Sequence, residues 1–564
     1  MRSAEVDPRL CETLARSLDI SPLIAHTLVL RGIATGEQGR DFLHGRLSSL
    51  PDPFLMKGMD VAVGRLVRAL ERGEKIVVHG DYDVDGITGT ALLTETLRAF
   101  GARVDYHIPL RLRDGYGLSG EALKQAASSG ARVVLSVDCG VSAVEEALLA
   151  GDLGLDLIVT DHHQPPEELP KALALVNPHQ PGCAFPFKEL SGVGVAFFLL
   201  VALRKAWREK GGFSTMPEPD LRRALDLVAL GTIADMVPLR GVNRLLAKVG
   251  LSVLGSDLRP GVVALRQVAG VEEITCGAVG FRLAPRLNAA GRLEDAALGV
   301  DLLLENDPMQ ARQAAELLDG FNRERQQIEK EAFRQAVARL EETERGNRWS
   351  IVLADERWHS GVIGIVASRL VERYHRPTVL IALENARGKG SARSIGGFHL
   401  FRALQNCQDF LAGFGGHEFA AGLTIDAGQI DGFTEALEKT AREWLDEEAL
   451  LPSIAHDGEV LLEELTRERV EEMAVLAPFG IGNPEPAFVS SGVRAQQIQV
   501  VGENHLRFTA RQDGYSQPCI AFGMASRQGE LQGELDLLFT PAINNWRGRK
   551  TVQLRIRDFR SSEK

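Results

Sequence analysis

The sequence predicts a multidomain α/β protein, in which a parallel-sheet domain, a long connecting helix, a second α/β domain and a small C-terminal β-barrel follow in order. Three observations predict it. The chain has 564 residues, too many for one ordinary hydrophobic core. From about Lys75, short β-rich runs alternate with helical stretches, the pattern of parallel strands joined by crossover helices. From roughly Leu451, the chain turns to alternating strands such as Leu506–Ala510 and Val552–Ile556.

Residues 1–70 look helical and are expected to extend the first domain. That domain, 71–305, opens with the strand Lys75–His79, and Val104–Ile108, Val133–Val137 and Leu157–Thr160 follow. Strands so continuously apolar suit a sheet covered on both faces. Asp307–Pro308 is a helix start, with a carboxylate at the N-cap and proline in the first turn. Apolar residues then recur at Ala314, Leu317, Leu318, Phe321, Ile328, Ala332, Val337 and Leu340, interrupted only by Gly320. A helix spanning 306–345 is long enough to bridge two domains. Trp349–Leu353 restarts an α/β pattern, which places the second domain at 346–450 and the barrel at 451–564. No internal repeat or low-complexity tract is present.

Apolar residues at 45% and charged residues at 25% describe a globular protein. The first twenty residues carry charges throughout and lack an apolar h-region, so no signal peptide is expected. The longest apolar run, Gly192–Leu203, is too short to span a bilayer. Six cysteines without paired spacing are expected to be reduced, buried thiols of a cytoplasmic protein, not a disulfide or zinc framework. A net charge of −12 argues against a generic nucleic-acid binder but leaves room for a local basic groove.

Three of these strands and one later apolar run end in metal-ligating residue types. They are His79-Gly-Asp81-Tyr-Asp83-Val-Asp85-Gly86, Val137-Asp138-Cys139-Gly140, Asp161-His162-His163 and Gly231-Thr232-Ile233-Ala234-Asp235. In an open parallel sheet the carboxyl ends of neighbouring strands share one crevice, so residues far apart in the chain can meet. Two divalent cations held about 3.5–4 Å apart can share a water, lower its pKa and neutralise a phosphoryl group under in-line attack. Oxygen ligands with a few imidazoles favour Mn²⁺ or Mg²⁺, whereas zinc would ask for more cysteine or histidine. Each piece alone has a plainer reading, because an Asp after a strand is usually a turn former or N-cap. Three aspartates at alternate positions are harder to explain that way, since their repulsion needs a cation. The four pieces together, each at a predicted strand end, outweigh the plain reading.

The four segments resemble, in order and spacing, the first four motifs of the DHH phosphoesterases, and within them the RecJ-type exonucleases. That resemblance implies Asp83, Asp85, Asp138, His162 and Asp235 as metal ligands, with Asp138 bridging two cations. It implies His163 facing the scissile phosphate and Asp161 orienting the histidines, and leaves open whether Asp81 or His79 touches a metal. Pro285-Arg286-Leu-Asn288-Ala-Ala-Gly291-Arg292 resembles the motif closing the first domain, with Arg286 as a phosphate contact. Trp358-His359 through Arg369, Gly390-Ser391-Ala-Arg393-Ser394 and Gly415-Gly416-His417 resemble the DHH-associated domain. Pro478-Phe-Gly-Ile-Gly482-Asn483-Pro484-Glu485-Pro486 is similar to the start of an oligonucleotide-binding (OB) barrel.

From Trp358 to Arg402, seven Lys or Arg stand against two Glu, reversing the sign of the whole chain. The resemblance makes Ser391 and Arg393, with Arg111, the pocket for a terminal 5′-phosphate, and has Tyr116 stack on a base. Gly415, Gly416 and His417 join them as substrate contacts. In the barrel, Asn545-Trp546-Arg547-Gly-Arg549-Lys550 forms an apparent hairpin with the aromatic and basic character that single-strand binding uses. The implied activity is two-metal 5′→3′ exonucleolysis of single-stranded DNA to 5′-mononucleotides in repair and recombination. Implied partners are a RecQ-type helicase and a single-strand-binding protein. A small-molecule phosphoesterase would lack residues 451–564, and a non-catalytic scaffold would have lost ligands that are intact here. On this reading, ending the chain before Leu451 would weaken strand binding and change turnover less.

Overall fold

The computed structural model describes residues 2–3, 6–110, 117–342, 348–546 and 548–562. The first sheet has five parallel strands, Lys75–Gly80, Arg103–His107, Ala131–Val137, Asp156–Thr160 and Ala174–Val176. Lys75–Gly80 lies between Arg103–His107 and Ala131–Val137, so the order reverses beside it. Alternation along each strand explains the near-continuous apolar text. Ile76, Val78, Val133, Leu135 and Ile158 enter one core, and Val77, Val134, Leu157 and Val159 enter another on the opposite face.

The fourth metal-ligating segment departs from the expectation. Leu225–Ala234 is a buried helix, and Asp235 is its C-cap, not a residue at a strand end. An apolar run this short fits either a buried strand or a buried helix, and here packing decided. All residues from Leu225 to Ile233 are buried, between the helices Val84–Ala99, Gly192–Glu209 and Gly241–Leu254.

The long helix runs unbroken from Pro308 to Glu342, capped by Asp307, whose carboxylate accepts from the amides of Met309 and Gln310 at 2.9 Å each. Gly320 does not interrupt it. Its first turns place Ala311, Ala315 and Leu318 in the core of the first domain, and its last place Ala332, Ala336 and Leu340 against the second. The buried line differs from the expected apolar stripe, because Leu317 is exposed and Asn322, Arg325 and Glu329 are buried in its middle. Arg325 binds Glu329 at 2.6 Å and Asn322 at 2.8 Å, and Glu329 also binds Arg369 of the second domain at 3.1 Å. These contacts offset much of the cost of burying polar groups here, although Arg325 Nε finds no partner among the described residues.

The second sheet is mixed, its strands Ile351–Asp355 and Thr378–Glu384 parallel and the rest antiparallel. Trp358 is buried against the long helix and donates its indole N–H to Gln335 at 3.1 Å. The C-terminal strands, from Phe488 to Ser561, close into a five-stranded barrel. Leu535–Trp546 and Arg549–Ser561 form the expected hairpin, with Trp546 opposite Arg549; Arg547 lies outside the described residues. Three of the six cysteines, Cys139, Cys407 and Cys519, are buried, and the other three are half-buried, all of them free. Among the described residues no helix is long and apolar enough to cross a membrane.

The N-terminal helices divide between two bodies instead of simply extending the first domain. Met59–Arg72 packs into the first domain's core. Ile24, Leu28 and Leu43 instead join the barrel's core, and Arg31 pairs with Asp457 at 2.6 Å. Removing residues 451–564 would therefore uncover these apolar residues as well as remove the barrel. We expect such a truncation to lower the melting temperature and open residues 8–44 to protease. In the full chain, Leu28→Ala should cost roughly 2–5 kcal/mol, read from chemical denaturation. A truncated chain that melts like the full one, with residues 8–44 protected, would refute this shared core.

Candidate metal centre

Asp83 caps the helix Val84–Ala99, accepting from the amides of Asp85 at 2.9 Å and Gly86 at 3.2 Å. Asp85, in the first turn, is buried and accepts from the amides of Gly192 at 2.6 Å and Val193 at 2.9 Å. Those amides open the helix Gly192–Glu209, so the positive end of its dipole faces the carboxylate. Asp138 follows its strand with a φ of 63°, a left-handed conformation that Asp tolerates better than most residues. Ser136 closes that turn, donating its hydroxyl to the Cys139 carbonyl at 2.9 Å. Asp161 accepts from the Val141 amide at 2.8 Å and the His162 amide at 2.7 Å, and its Oδ1 lies 2.8 Å from His163 Nδ1. It thus orients the ring of His163 and the backbone of His162.

His162 Nε2 lies 3.1 Å from Asp138 Oδ1, 3.7 Å from Asp235 Oδ2 and 3.9 Å from Asp85 Oδ2. Three overlapping sets place one donor atom per residue within 4.8 Å: Asp138, His162 and His163; Asp85, His162 and Asp235; Asp81, Asp83 and Asp138. Asp81 is therefore part of the cluster. His79 is in none of these sets, and its Nε2 lies 3.2 Å from the Gly117 carbonyl while its ring stacks on His107.

Burial, then the neighbouring carboxylates, raise Asp85, Asp138 and Asp235 above the usual carboxylate range. Burial, then His163, lowers His162 to about 4, so its imidazole is neutral and offers a lone pair. Burial opposes protonation of His163, but the hydrogen bond and charge of Asp161 outweigh it and raise His163. Nε2 of His162 and Oδ2 of Asp235 are buried without a hydrogen-bond partner among the described residues. Crowded carboxylates, a neutral imidazole and polar atoms left unsatisfied fit divalent cations with oxygen-rich coordination.

Sequence reading missed Ser191, Gly192, Val193 and Thr232. Ser191 caps its helix through the Gly194 amide, and its hydroxyl lies 2.8 Å from that of Thr232. The available signal was Ser191-Gly-Val-Gly194 opening an apolar run, a helix N-terminus able to meet an anion. Gly192 leaves space that its neighbours fill, since a Cβ there would lie 2.6 Å from Asp138 Oδ1.

In the second domain, Ser391 and Arg393 share the strand Arg387–Arg393, with Arg393 donating to Ser391 Oγ at 3.2 Å. A Cβ at Gly364, in the first turn of the helix Ile363–Tyr374, would lie 2.8 Å from Ser391 Oγ and 3.0 Å from Arg393 Nη2. This helix start against Ser391 and Arg393 is a further feature that sequence reading missed. Gly415 pairs with Gly422, and Gly422 with Ser391, so all three lie in one row; Gly415, Gly416 and His417 are exposed. The basic excess is partly spent within the fold, as Arg369, Arg373 and Arg387 pair with Glu329, Glu341 and Asp426. Arg286 binds Asp319 at 2.9 Å and the Arg282 carbonyl at 2.5 Å, so no described contact joins it to the metal cluster. Arg111 and Tyr116 lie outside the described residues.

Gly192→Ala should push a methyl into Asp138. We expect about a 10–100-fold loss of Mn²⁺ affinity with little change in melting temperature. Isothermal titration with Mn²⁺ checks this, and unchanged affinity would disprove the cradle.

Family models described as the DHH family N-terminal domain, the DHHA1 domain and the RecJ OB domain match residues 75–232, 347–443 and 456–558. The single-stranded-DNA-specific exonuclease RecJ of Bacillus subtilis is 40% identical over 98% of this chain and 70% of its own length. That of Escherichia coli is 37% identical over 99% of this chain and 98% of its own. The crystal structure of Thermus thermophilus RecJ with Mn²⁺ gives a TM-score of 0.86 at 33% identity, covering 100% of this chain and 80% of that one. The same protein with Mg²⁺ gives 0.80 at 32% identity, covering 100% and 78%. With three domain matches in order and this identity across nearly its whole length, the chain belongs to the RecJ family of DHH phosphoesterases.

Proposed function

We propose that this chain is a metal-dependent exonuclease that degrades single-stranded DNA in the 5′→3′ direction, releasing 5′-mononucleotides. The observation that carries the reading is the meeting of Asp85, Asp138 and Asp235 around His162 Nε2, in a chain of the RecJ family. Asp83, Asp85, Asp138, His162 and Asp235 would hold two divalent cations, Mn²⁺ or Mg²⁺, with Asp138 shared. Such ions, when bound, acidify water and neutralise charge on the phosphoryl oxygens. The chain's own residues supply the rest. Asp161 fixes His163 through Nδ1, leaving Nε2 to meet the scissile phosphate. Arg286 would contact an adjacent phosphate by exchanging Asp319 for it.

Ser391 and Arg393, with Arg111 from the first domain, would bind a terminal 5′-phosphate by charge-assisted hydrogen bonds. Gly415, Gly416 and His417 extend that row, and Tyr116 would stack on a base near the end. A strand continuing past the pocket would meet its wall, so digestion starts at an end. The barrel would hold the strand behind it. DNA repair and recombination in the cytoplasm, beside a RecQ-type helicase and a single-strand-binding protein, complete the reading.

Asp138→Ala should abolish hydrolysis with either Mn²⁺ or Mg²⁺ while the protein stays folded. Near wild-type turnover in the purified variant would sink the two-cation reading. The end pocket predicts that a 5′-phosphorylated strand is cut faster than a 5′-hydroxyl strand, and that circles resist. Arg393→Ala should narrow the phosphate preference by roughly tenfold, the size of one lost charge-assisted hydrogen bond. Initial rates on matched linear and circular strands decide this, and circles cut as fast as linear strands would rule out the pocket.

A further inference from the structure

Helix Gly241–Leu254 carries two adjacent buried side chains whose partners lie in different parts of the molecule. Asn243 donates its amide to the carbonyls of Glu189 and Pro238, the latter at 3.1 Å. Glu189 leads directly into Ser191 and Gly192, where the cradle of Asp85 begins. Pro238 ends the short segment that follows Asp235. One amide therefore joins the two chain segments that set Asp85 and Asp235. Between Asp235 and Pro238, Met236 has a φ of 64°, a conformation that an ordinary L-residue keeps only when its surroundings impose it.

Arg244 holds the other side. It makes five hydrogen bonds, all to carbonyls, four of them in the segment 475–478 that leads into the barrel and one at Phe42. Its guanidinium also stacks on the Phe42 ring, 3.8 Å from the centroid. The loop beyond that segment touches the post-Asp235 segment directly, because the Leu239 amide donates to the Ile481 carbonyl at 2.6 Å. Asn483 stiffens the loop by donating to the carbonyls of Leu476 at 2.9 Å and Pro478 at 2.8 Å. The fit is tight, since a Cβ at Gly480 would lie 2.7 Å from Leu239 Cδ1.

We propose that the barrel's 475–483 loop is a positioning element for the metal centre, acting through Leu239, Asn243 and Arg244. Arg244 anchors the loop, the loop fixes the segment after Asp235 through Leu239, and Asn243 fixes that segment to the one that cradles Asp85. The inference rests on reading Asp85 and Asp235 as metal ligands. It gives the barrel a part in turnover that is separate from holding the strand.

The test uses the full-length protein and two substitutions from opposite sides of the contact. Asn243→Ala removes the tie from within the first domain, and Gly480→Ala wedges a methyl against Leu239 from the barrel. Mn²⁺ binding is read from loss of the free-ion electron paramagnetic resonance signal, and kcat and KM from a 5′-phosphorylated oligonucleotide. We expect both variants to bind Mn²⁺ about tenfold or more weakly and to lose kcat, with KM for the strand changed by less than about twofold. Should Asn243→Ala fail to fold, Gly480→Ala carries the same decision. A folded Gly480→Ala protein with wild-type Mn²⁺ binding and kcat would overturn the proposal, even if its KM rose. Wild-type protein that leaves the Mn²⁺ signal untouched would instead remove the metal-centre reading, and this inference with it.

Discussion

Buried carboxylates repel one another, and the fold must hold several of them within a few ångströms before any cation arrives. The amides of Gly192 and Val193 do this for Asp85 by aiming a helix N-terminus at its oxygens. Much of the first domain follows from that contact. It requires Gly192 to lie against Asp138, because a Cβ would occupy the space of that carboxylate. It also requires the buried helix Leu225–Ala234 to run alongside, since a Cβ at Gly231 would lie 2.9 Å from Asp85 Oδ1. The cluster is thus built from strand ends on one side and helix ends on the other.

Side-chain networks, backbone carbonyls and a shared core join the domains. The long helix buries apolar residues at both ends but a hydrogen-bonded polar network in its middle, where Glu329 reaches Arg369. Such a network fixes orientation through directional hydrogen bonds, which an apolar seam would not do. The barrel is attached by carbonyls, through Arg244, and by a core shared with the helices within residues 8–44. The carboxylate cluster around His162, the strand Arg387–Arg393 and the barrel are therefore held in one frame.

Much of this was legible in the sequence because the signals are local. Short, continuously apolar runs marked four strands of the first sheet to within a residue or two. Asp307–Pro308 marked the start of the long helix through cap chemistry that needs no tertiary partner. Aspartates and histidines in short motifs, read with their family resemblance, named the residues that the structure brings together around His162. The run that ends at Asp235 is a helix and not the expected strand, since an apolar run of that length carries no period to separate the two.

The sequence by itself determined which residues could ligate a metal, because ligand chemistry belongs to the side chain and strand-end position follows from local pattern. Only the tertiary structure decided how those groups are held. Gly192 and Val193 reach Asp85 across more than a hundred positions through backbone amides, and backbone donors look alike in any sequence. For the same reason, Arg286 is tied to Asp319, and the helices within residues 8–44 share their core with the barrel. A contact made between distant segments depends on how whole domains pack, and no local pattern of residues encodes it.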